Sequence, residues 1–326
     1  MSAAVGVILV KATGFYGRHL ATFEQKRGPN PILRIGGALL ITAVASTACD
    51  KLGQSNPNPS TPTPTGPPSP GTAIVYSAIG ASDAIGHGSS QECLPVIDCP
   101  GGKGYVQVAI AQLKAKGYSV AQITLAVPAG VISRTFQTLG LQYGRTIPGN
   151  LIELSAPNVL TNSTVVTVFA GANEVNTITA ALGGGAGGTD PAGYVDRQVA
   201  QFGVDYATLL GAIRARAANA QIIVLNVPNL AGLPFLASAT LQQRQAAQRA
   251  SVGMTTTVVN RLQNVTVIDL MCDARSYQPT AYSSDGLHPN DSGYAFIANE
   301  VVLAITSTAY PAPSGNCAPM TVVPNP

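Results

Sequence analysis

Five short runs of apolar, often β-branched residues recur along the chain, each bounded by Gly, Pro or polar positions, and this pattern is typical of buried strands. The runs cover residues 73–79, 120–127, 164–170, 221–227 and 265–270. Helical patterns separate them, over residues 104–116, 194–217, 241–262 and 291–305. Because strands alternate with helices, we predict an α/β domain over residues 72–310, with a parallel sheet covered on both faces.

The N-terminal residues have a different character. A basic stretch ends at Arg34, an apolar run follows over residues 35–45, and small residues precede Cys49. This order predicts an export signal over residues 1–48, and the run is shorter than the roughly 20 apolar residues of a membrane span. The small residues before Cys49 resemble a bacterial lipoprotein cleavage box, although Ser46 stands where that box usually has Leu. We expect cleavage before Cys49 and lipidation of that residue, with ordinary signal cleavage or a retained anchor as the alternatives.

Residues 49–71 are rich in Pro, Ser and Thr, and the stretch from Ser55 to Gly71 contains seven prolines and no large apolar residue. Such a segment forms no core and favours extended conformations. We interpret it as a flexible tether that holds the domain away from a membrane at the bacterial cell envelope, on the periplasmic or outer surface. If Cys49 carries no lipid, the segment is a disordered tail of a secreted protein.

Composition and net charge narrow the classes of function that the domain can have. Hydrophobic residues make up 46% of the chain and charged residues 10%, which is typical of a globular core. Five basic residues against one acid give residues 1–48 a charge of +4, which leaves −1 of the total +3 for the rest. The domain therefore has no basic bias, and we expect no nucleic-acid partner. We also expect a monomer.

The cysteines are consistent with an oxidising compartment. Apart from Cys49 there are four, which allow three pairings. The short loop favours Cys93–Cys99, which leaves Cys272–Cys317 to pin a C-terminal tail over residues 311–326; free buried thiols are the alternative. The chain has no CxxC motif and three histidines, so we expect no metal site.

Three stretches carry candidate chemistry. Ser82 follows the first predicted strand, Asn173 follows the third, and Asp285 precedes His288 by three residues. A hydroxyl nucleophile, an amide donor and an imidazole with a carboxylate partner are the components of serine hydrolysis. Each residue alone has a simpler interpretation. Ser82 and Asn173 are then turn residues, and Asp285 caps a helix.

These stretches resemble the blocks of the SGNH hydrolases, also called the GDSL esterase/lipase family. The matching segments are Gly80–Asp83, Gly171–Glu174 and Asp285–Pro289, and Leu125–Gly130 occupies the place of the second block. Ala81 and Glu174 stand where the family has acidic Asp residues. No serine lies in the G-x-S-x-G elbow that an α/β-hydrolase requires.

The resemblance implies a flavodoxin-like three-layer sandwich with a five-stranded parallel sheet. It also implies cofactor-free hydrolysis of carboxylic esters through an acyl-enzyme. Ser82 is the implied nucleophile, His288 the base and Asp285 its orienting group. The implied oxyanion donors are the Ser82 N–H, the Asn173 amide and the N–H of Ala129 or Gly130.

The substrate stays open at this stage. The implied chemistry suits a small-molecule, glycan or lipid ester as substrate. The same site would also serve a polysaccharide O-acetyl esterase, a lysophospholipase or a thioesterase. A non-catalytic surface module that binds glycan or protein is a further alternative. We interpret Asp83 as a cap and His87 as a loop residue, and we predict that loops over residues 143–162 and 176–191 shape the pocket.

Overall fold

The structure is a computed structural model that describes residues 67–69 and 71–325. The predicted signal over residues 1–48, the lipidation residue Cys49 and most of the tether over residues 49–71 lie outside the described residues. The strands are β1 (Ala73–Gly80), β2 (Ser119–Ala126), β3 (Val165–Phe169), β4 (Gln221–Leu225) and β5 (Thr266–Ile268).

The five strands form one sheet in the order β2-β1-β3-β4-β5, and every neighbouring pair is parallel. This is the strand order of flavodoxin-like folds. All five residues of β3 are buried, so both faces of the sheet centre are covered. The structure therefore confirms the predicted five-stranded parallel α/β fold.

The helices connect and cover the strands. They are α1 (Ser82–Ile85), α2 (Tyr105–Ala115), α3 (Arg134–Gln142), α4 (Leu151–Leu154), α5 (Ala172–Gly183), α6 (Pro191–Arg216), α7 (Leu241–Gly253) and α8 (Asp291–Thr306). Helices α2 and α8 pack against each other, and α7 packs against both α5 and α6. Helix α5 occupies much of the segment that we predicted as a loop over residues 176–191, and α3 was not predicted at all.

The predicted helix over residues 241–262 is not α-helical throughout. Its last part widens into a π-helical turn over Met254–Val258 and ends in a 3₁₀ turn over Val259–Arg261. The hydroxyls of Thr256 and Thr257 donate to main-chain carbonyls four residues earlier. Ser and Thr side chains that bond back to the helix backbone in this way slightly weaken its regular ladder.

Two disulfides join Cys93 to Cys99 and Cys272 to Cys317, as the sequence predicts. The second bond ties the C-terminal tail to the segment after β5. The tail is further held by the Gln248 side chain, whose amide donates to the Val323 carbonyl at 2.8 Å. Among the residues that the structure describes, no helix combines the length and the apolar character needed to cross a bilayer.

Candidate active site

The candidate residues meet at the carboxyl edge of the sheet. Ser82 is the first residue of α1 and lies two residues beyond β1, and Asn173 lies in the first turn of α5, just beyond β3. His288 reaches the same edge from a loop that precedes α8. Parallel strands all end at one edge, and ligands of such sheets bind there. The topology thus brings together side chains that are about 200 residues apart in sequence.

Ser82, His288 and Asp285 form a continuous hydrogen-bonded chain. The Ser82 Oγ lies 2.8 Å from the His288 Nε2, and the His288 Nδ1 lies 2.6 Å from the Asp285 Oδ2. A carboxylate can only accept, so Nδ1 carries the proton and Nε2 is left with the lone pair. This is the tautomer in which an imidazole accepts a proton from a serine hydroxyl.

Asp285 is held in its ionised form. Partial burial on its own raises the pKa of this carboxyl, but hydrogen bonds from the His288 ring, from the His288 and Leu287 N–H groups and from the Ser283 hydroxyl together lower the pKa to about 2. The two N–H donors contact Oδ1 at 2.9 and 2.8 Å. Asp285 is therefore a fixed negative charge near neutral pH, and it stabilises an imidazolium at His288.

The loop that carries His288 is closed on itself and anchored to its surroundings. The Ser283 N–H donates to the His288 carbonyl at 2.8 Å, and the Phe235 N–H donates to the Gly286 carbonyl at 3.1 Å. Gly286 has a φ of 70°, and a Cβ atom at this position would lie 2.6 Å from the Phe235 nitrogen. Only glycine satisfies both the left-handed conformation and this close approach.

Asn173 directs its amide nitrogen toward the segment after β2. Its Nδ2 donates to the Gly130 carbonyl at 2.9 Å, and its Oδ1 accepts from the Arg145 Nη2 at 3.2 Å. Because a guanidinium only donates, Arg145 decides which end of the amide is oxygen. An amide nitrogen carries two hydrogens, so within the described part of the chain one N–H of Asn173 remains for a ligand.

The two candidates after β2 differ in how their N–H groups are used. The Gly130 N–H donates to the Val127 carbonyl at 2.7 Å and closes a turn. Ala129 has a φ of 57°, and within the described residues its N–H has no acceptor. The turn therefore leaves Ala129, and not Gly130, with a free backbone donor.

Glu174 links the two segments that border the candidate oxyanion site. Its side chain is buried, and its Oε1 accepts from the Ile132 N–H, which joins the first turn of α5 to the segment after β2. Burial raises the pKa of Glu174 to about 7, although the Ile132 N–H and the Arg145 guanidinium oppose the rise. The carboxyl thus fixes the spacing between Asn173 and the Ala129–Gly130 turn.

Residues 78–296 match the GDSL-like Lipase/Acylhydrolase family, and this range takes in every site residue described above. The chain belongs to this family. No curated protein matches the sequence closely enough to count as a relative.

Several solved structures are similar to this chain at low identity. A lipase from a goat rumen metagenome has a TM-score of 0.49 at 16% identity, covering 72% of this chain and 98% of its own. An extracellular lipase from Streptomyces rimosus has a TM-score of 0.46 at 16% identity, with coverages of 69% and 98%. An acetyl xylan esterase from Geobacillus stearothermophilus has a TM-score of 0.43 at 14% identity, with coverages of 72% and 96%.

Two contacts around this GDSL-like site were missed from the sequence. Arg145 lies in a segment interpreted only as a pocket-shaping loop, and nothing in its local pattern points to Asn173, which is 28 residues away. His87, interpreted as an ordinary loop residue, packs edge-on against His288 with 4.5 Å between ring centroids.

The interpretation of Asp83 as a cap was wrong, because Asp83 makes no side-chain capping bond and instead lines the cleft beside Ser82. Its proximity to Ser82 in sequence was the available signal.

A cleft lies beside Ser82 and His288. Most of its wall is apolar and comes from segments that follow β4 and β5 and from α8. Its apolar members include Val227, Leu230, Leu233, Leu270, Phe296 and Ile297. The reactive groups therefore border a cavity that can accept an apolar group.

Proposed function

We propose that this member of the GDSL-like family hydrolyses carboxylic esters through an acyl-enzyme on Ser82. The hydrogen-bonded chain from Ser82 through His288 to Asp285 carries the proposal, with its contacts of 2.8 and 2.6 Å. Family membership supports ester hydrolysis in general, and this chain of contacts supplies a nucleophile, a base and an orienting carboxylate.

The steps follow from the geometry. The Ser82 oxygen attacks the acyl carbon while its proton passes to the His288 Nε2. The negative charge that develops on the carbonyl oxygen is stabilised by the N–H of Ser82, the free amide N–H of Asn173 and the N–H of Ala129. The imidazolium then protonates the leaving alcohol, and water repeats the sequence on the acyl-enzyme to release the acid. Asp285 stabilises the imidazolium during both formation and hydrolysis of the acyl-enzyme.

The apolar cleft supports an ester with an apolar acyl chain rather than an acetyl group alone. A series of chromogenic esters of increasing chain length tests this choice. An optimum beyond acetyl supports the apolar acyl substrate, and activity confined to acetyl esters favours a polysaccharide O-acetyl esterase instead.

A fluorophosphonate probe tests the nucleophile directly. We expect it to label the intact chain at Ser82 and to leave Ser82→Ala unlabelled. Ser292→Ala, which removes a hydroxyl from the first turn of α8, is the matched control and should be labelled like the parent. An intact chain that neither reacts nor hydrolyses any ester would indicate a non-catalytic binding module.

We also propose that the protein is exported and anchored to the bacterial cell envelope through lipid on Cys49. The basic, apolar and small-residue segments before Cys49 and the proline-rich segment after it support this proposal. Metabolic labelling with a fatty-acid analogue should mark the parent protein and not a Cys49→Ser variant. Labelling of neither, together with recovery in the medium, would support ordinary secretion.

A further inference from the structure

Two histidine–carboxylate pairs lie side by side at the mouth of the candidate site. The His87 and His288 rings meet edge to face, at an interplanar angle of 87°. Glu92 Oε1 lies 2.8 Å from the His87 Nδ1, just as Asp285 lies 2.6 Å from the His288 Nδ1. Ser82 uses only the second pair, and the mechanism above leaves His87 and Glu92 without a role.

The ring nitrogens and a carboxylate oxygen of this cluster are close enough to hold one metal ion. His87, His288 and Asp285 each present a ligand atom within 4.8 Å of the others. Two ligands of one tetrahedral zinc ion lie about 3.4 Å apart, given bonds of about 2.1 Å, so small side-chain adjustments bring the three into range. Two imidazoles and one carboxylate, with water in the fourth position, form a common zinc ligand set.

The His87–Glu92 pair is already arranged for metal binding by the His87 ring. Glu92 accepts from the His87 Nδ1, which leaves the lone pair on Nε2. The Tyr294 hydroxyl holds the His87 carbonyl at 2.7 Å, and Glu92 precedes the disulfide-bonded Cys93. The His87 side chain is 47% exposed, so an ion reaches it from solvent.

We propose that a zinc ion binds between His87 and His288, with Asp285 as the third ligand, and inhibits the enzyme. This inhibition rests on the proposed hydrolase function, whereas the binding of the ion does not. Asp285 contacts the His288 ring at Nδ1, so an ion that takes both residues as ligands binds this nitrogen. The proton of the neutral ring then moves to Nε2, and the lone pair that receives the Ser82 proton is lost. The sequence predicts no resident metal, and the ion proposed here is an inhibitor and not a cofactor.

Calorimetric titration of zinc into the untagged full-length chain carrying Ser82→Ala tests the site without any turnover. We expect one ion per chain. Glu92→Gln in this background should weaken zinc binding by about 10–100-fold, the usual effect of losing a carboxylate behind a histidine ligand. His87→Asn should weaken it at least as much. Glu153→Gln is the matched control, because Glu153 pairs with Arg134 on the surface, and it should leave zinc affinity unchanged.

Inhibition is measured on the chain with Ser82 intact, and each variant is compared with its own zinc-free rate. Zinc should inhibit the parent, and the concentration for half-inhibition should rise in His87→Asn by the factor seen in binding. Magnesium, which prefers oxygen ligands, should not inhibit at the same concentrations. Equal zinc affinity in the parent and His87→Asn overturns the site. Zinc bound through His87 without effect on hydrolysis overturns the inhibition, and a failure to hydrolyse any ester counts only against the proposed function.

Discussion

The Arg145 guanidinium donates hydrogen bonds to both carbonyl oxygens of Asn173, the main-chain oxygen and the side-chain Oδ1. A third donation goes to the Thr177 hydroxyl. Arg145 thus sets the orientation of the amide and, by withdrawing charge from Oδ1, strengthens Nδ2 as a donor. It is a positioning residue, since it acts on the proposed oxyanion site through Asn173.

Replacement of Arg145 should lower kcat while KM stays nearly constant. Asn173→Ala should cost about 10²–10³ in kcat, because one oxyanion donor is lost. Arg145→Ala should cost less, and the double variant should be no slower than Asn173→Ala alone, since Arg145 acts through that amide. Arg134→Ala, whose side chain pairs with Glu153 at the surface, should leave kcat unchanged. Additive losses in the double variant would show that Arg145 acts by another route.

Gly286→Ala should displace the loop that carries His288. The added methyl group meets the Phe235 nitrogen at 2.6 Å, and the left-handed backbone adds about 1–3 kcal/mol of strain. We expect a loss of activity together with a lower midpoint of urea unfolding. Gly117→Ala is the matched control, because Gly117 also has a positive φ, of 90°, but faces open space. If both variants keep full activity, the contact with Phe235 does not position the loop.

Glu174 should make the protein less stable as pH rises from about 4.5 to about 7. Its pKa is about 7 in the folded protein and 4.5 in the unfolded chain, so in this window the folded state alone retains the proton. Stability therefore falls as pH rises through this window, because the unfolded chain releases a proton that the folded state keeps. Glu174→Gln keeps an oxygen acceptor for the Ile132 N–H and removes the titration.

Urea unfolding at a series of pH values measures this effect as the difference between parent and variant. The variant should gain stability relative to the parent across the window and show a constant difference above it. A difference that does not vary between pH 4.5 and 7 would mean that Glu174 keeps an ordinary pKa.

The two disulfides should contribute unequally to stability. Cys272 and Cys317 are 45 residues apart, whereas Cys93 and Cys99 are 6 apart. Loop-closure entropy then predicts losses of about 4 and about 2 kcal/mol when each pair is replaced by alanine. Denaturant unfolding of the two double variants gives both values. The reverse ranking would show that local packing around the short loop outweighs chain entropy.

Much of the fold was readable from local pattern. Runs such as residues 164–170 are continuously apolar and β-branched because a central parallel strand is buried on both faces, and such a run has few other stable environments. The Asp285–His288 pairing was predictable for the same reason, since three residues of one loop bring a carboxylate to an imidazole. By contrast, the first turns of α5 carry Asn and Thr residues of low helix propensity, and tertiary packing overrides that preference.

The contacts that complete the site depend on folding over long sequence distances. Arg145 reaches Asn173, Glu174 reaches Ile132 and His87 meets His288 only because parallel strands end at one edge and the loops beyond them share that space. Hydrophobic periodicity does not reveal such long-range contacts, because the sequence around each partner is compatible with its own secondary structure wherever the other partner lies. Residue types and their order therefore indicated the proposed reaction chemistry. The free N–H of Ala129 and the contact of His87 with the His288 ring are decided by three-dimensional packing.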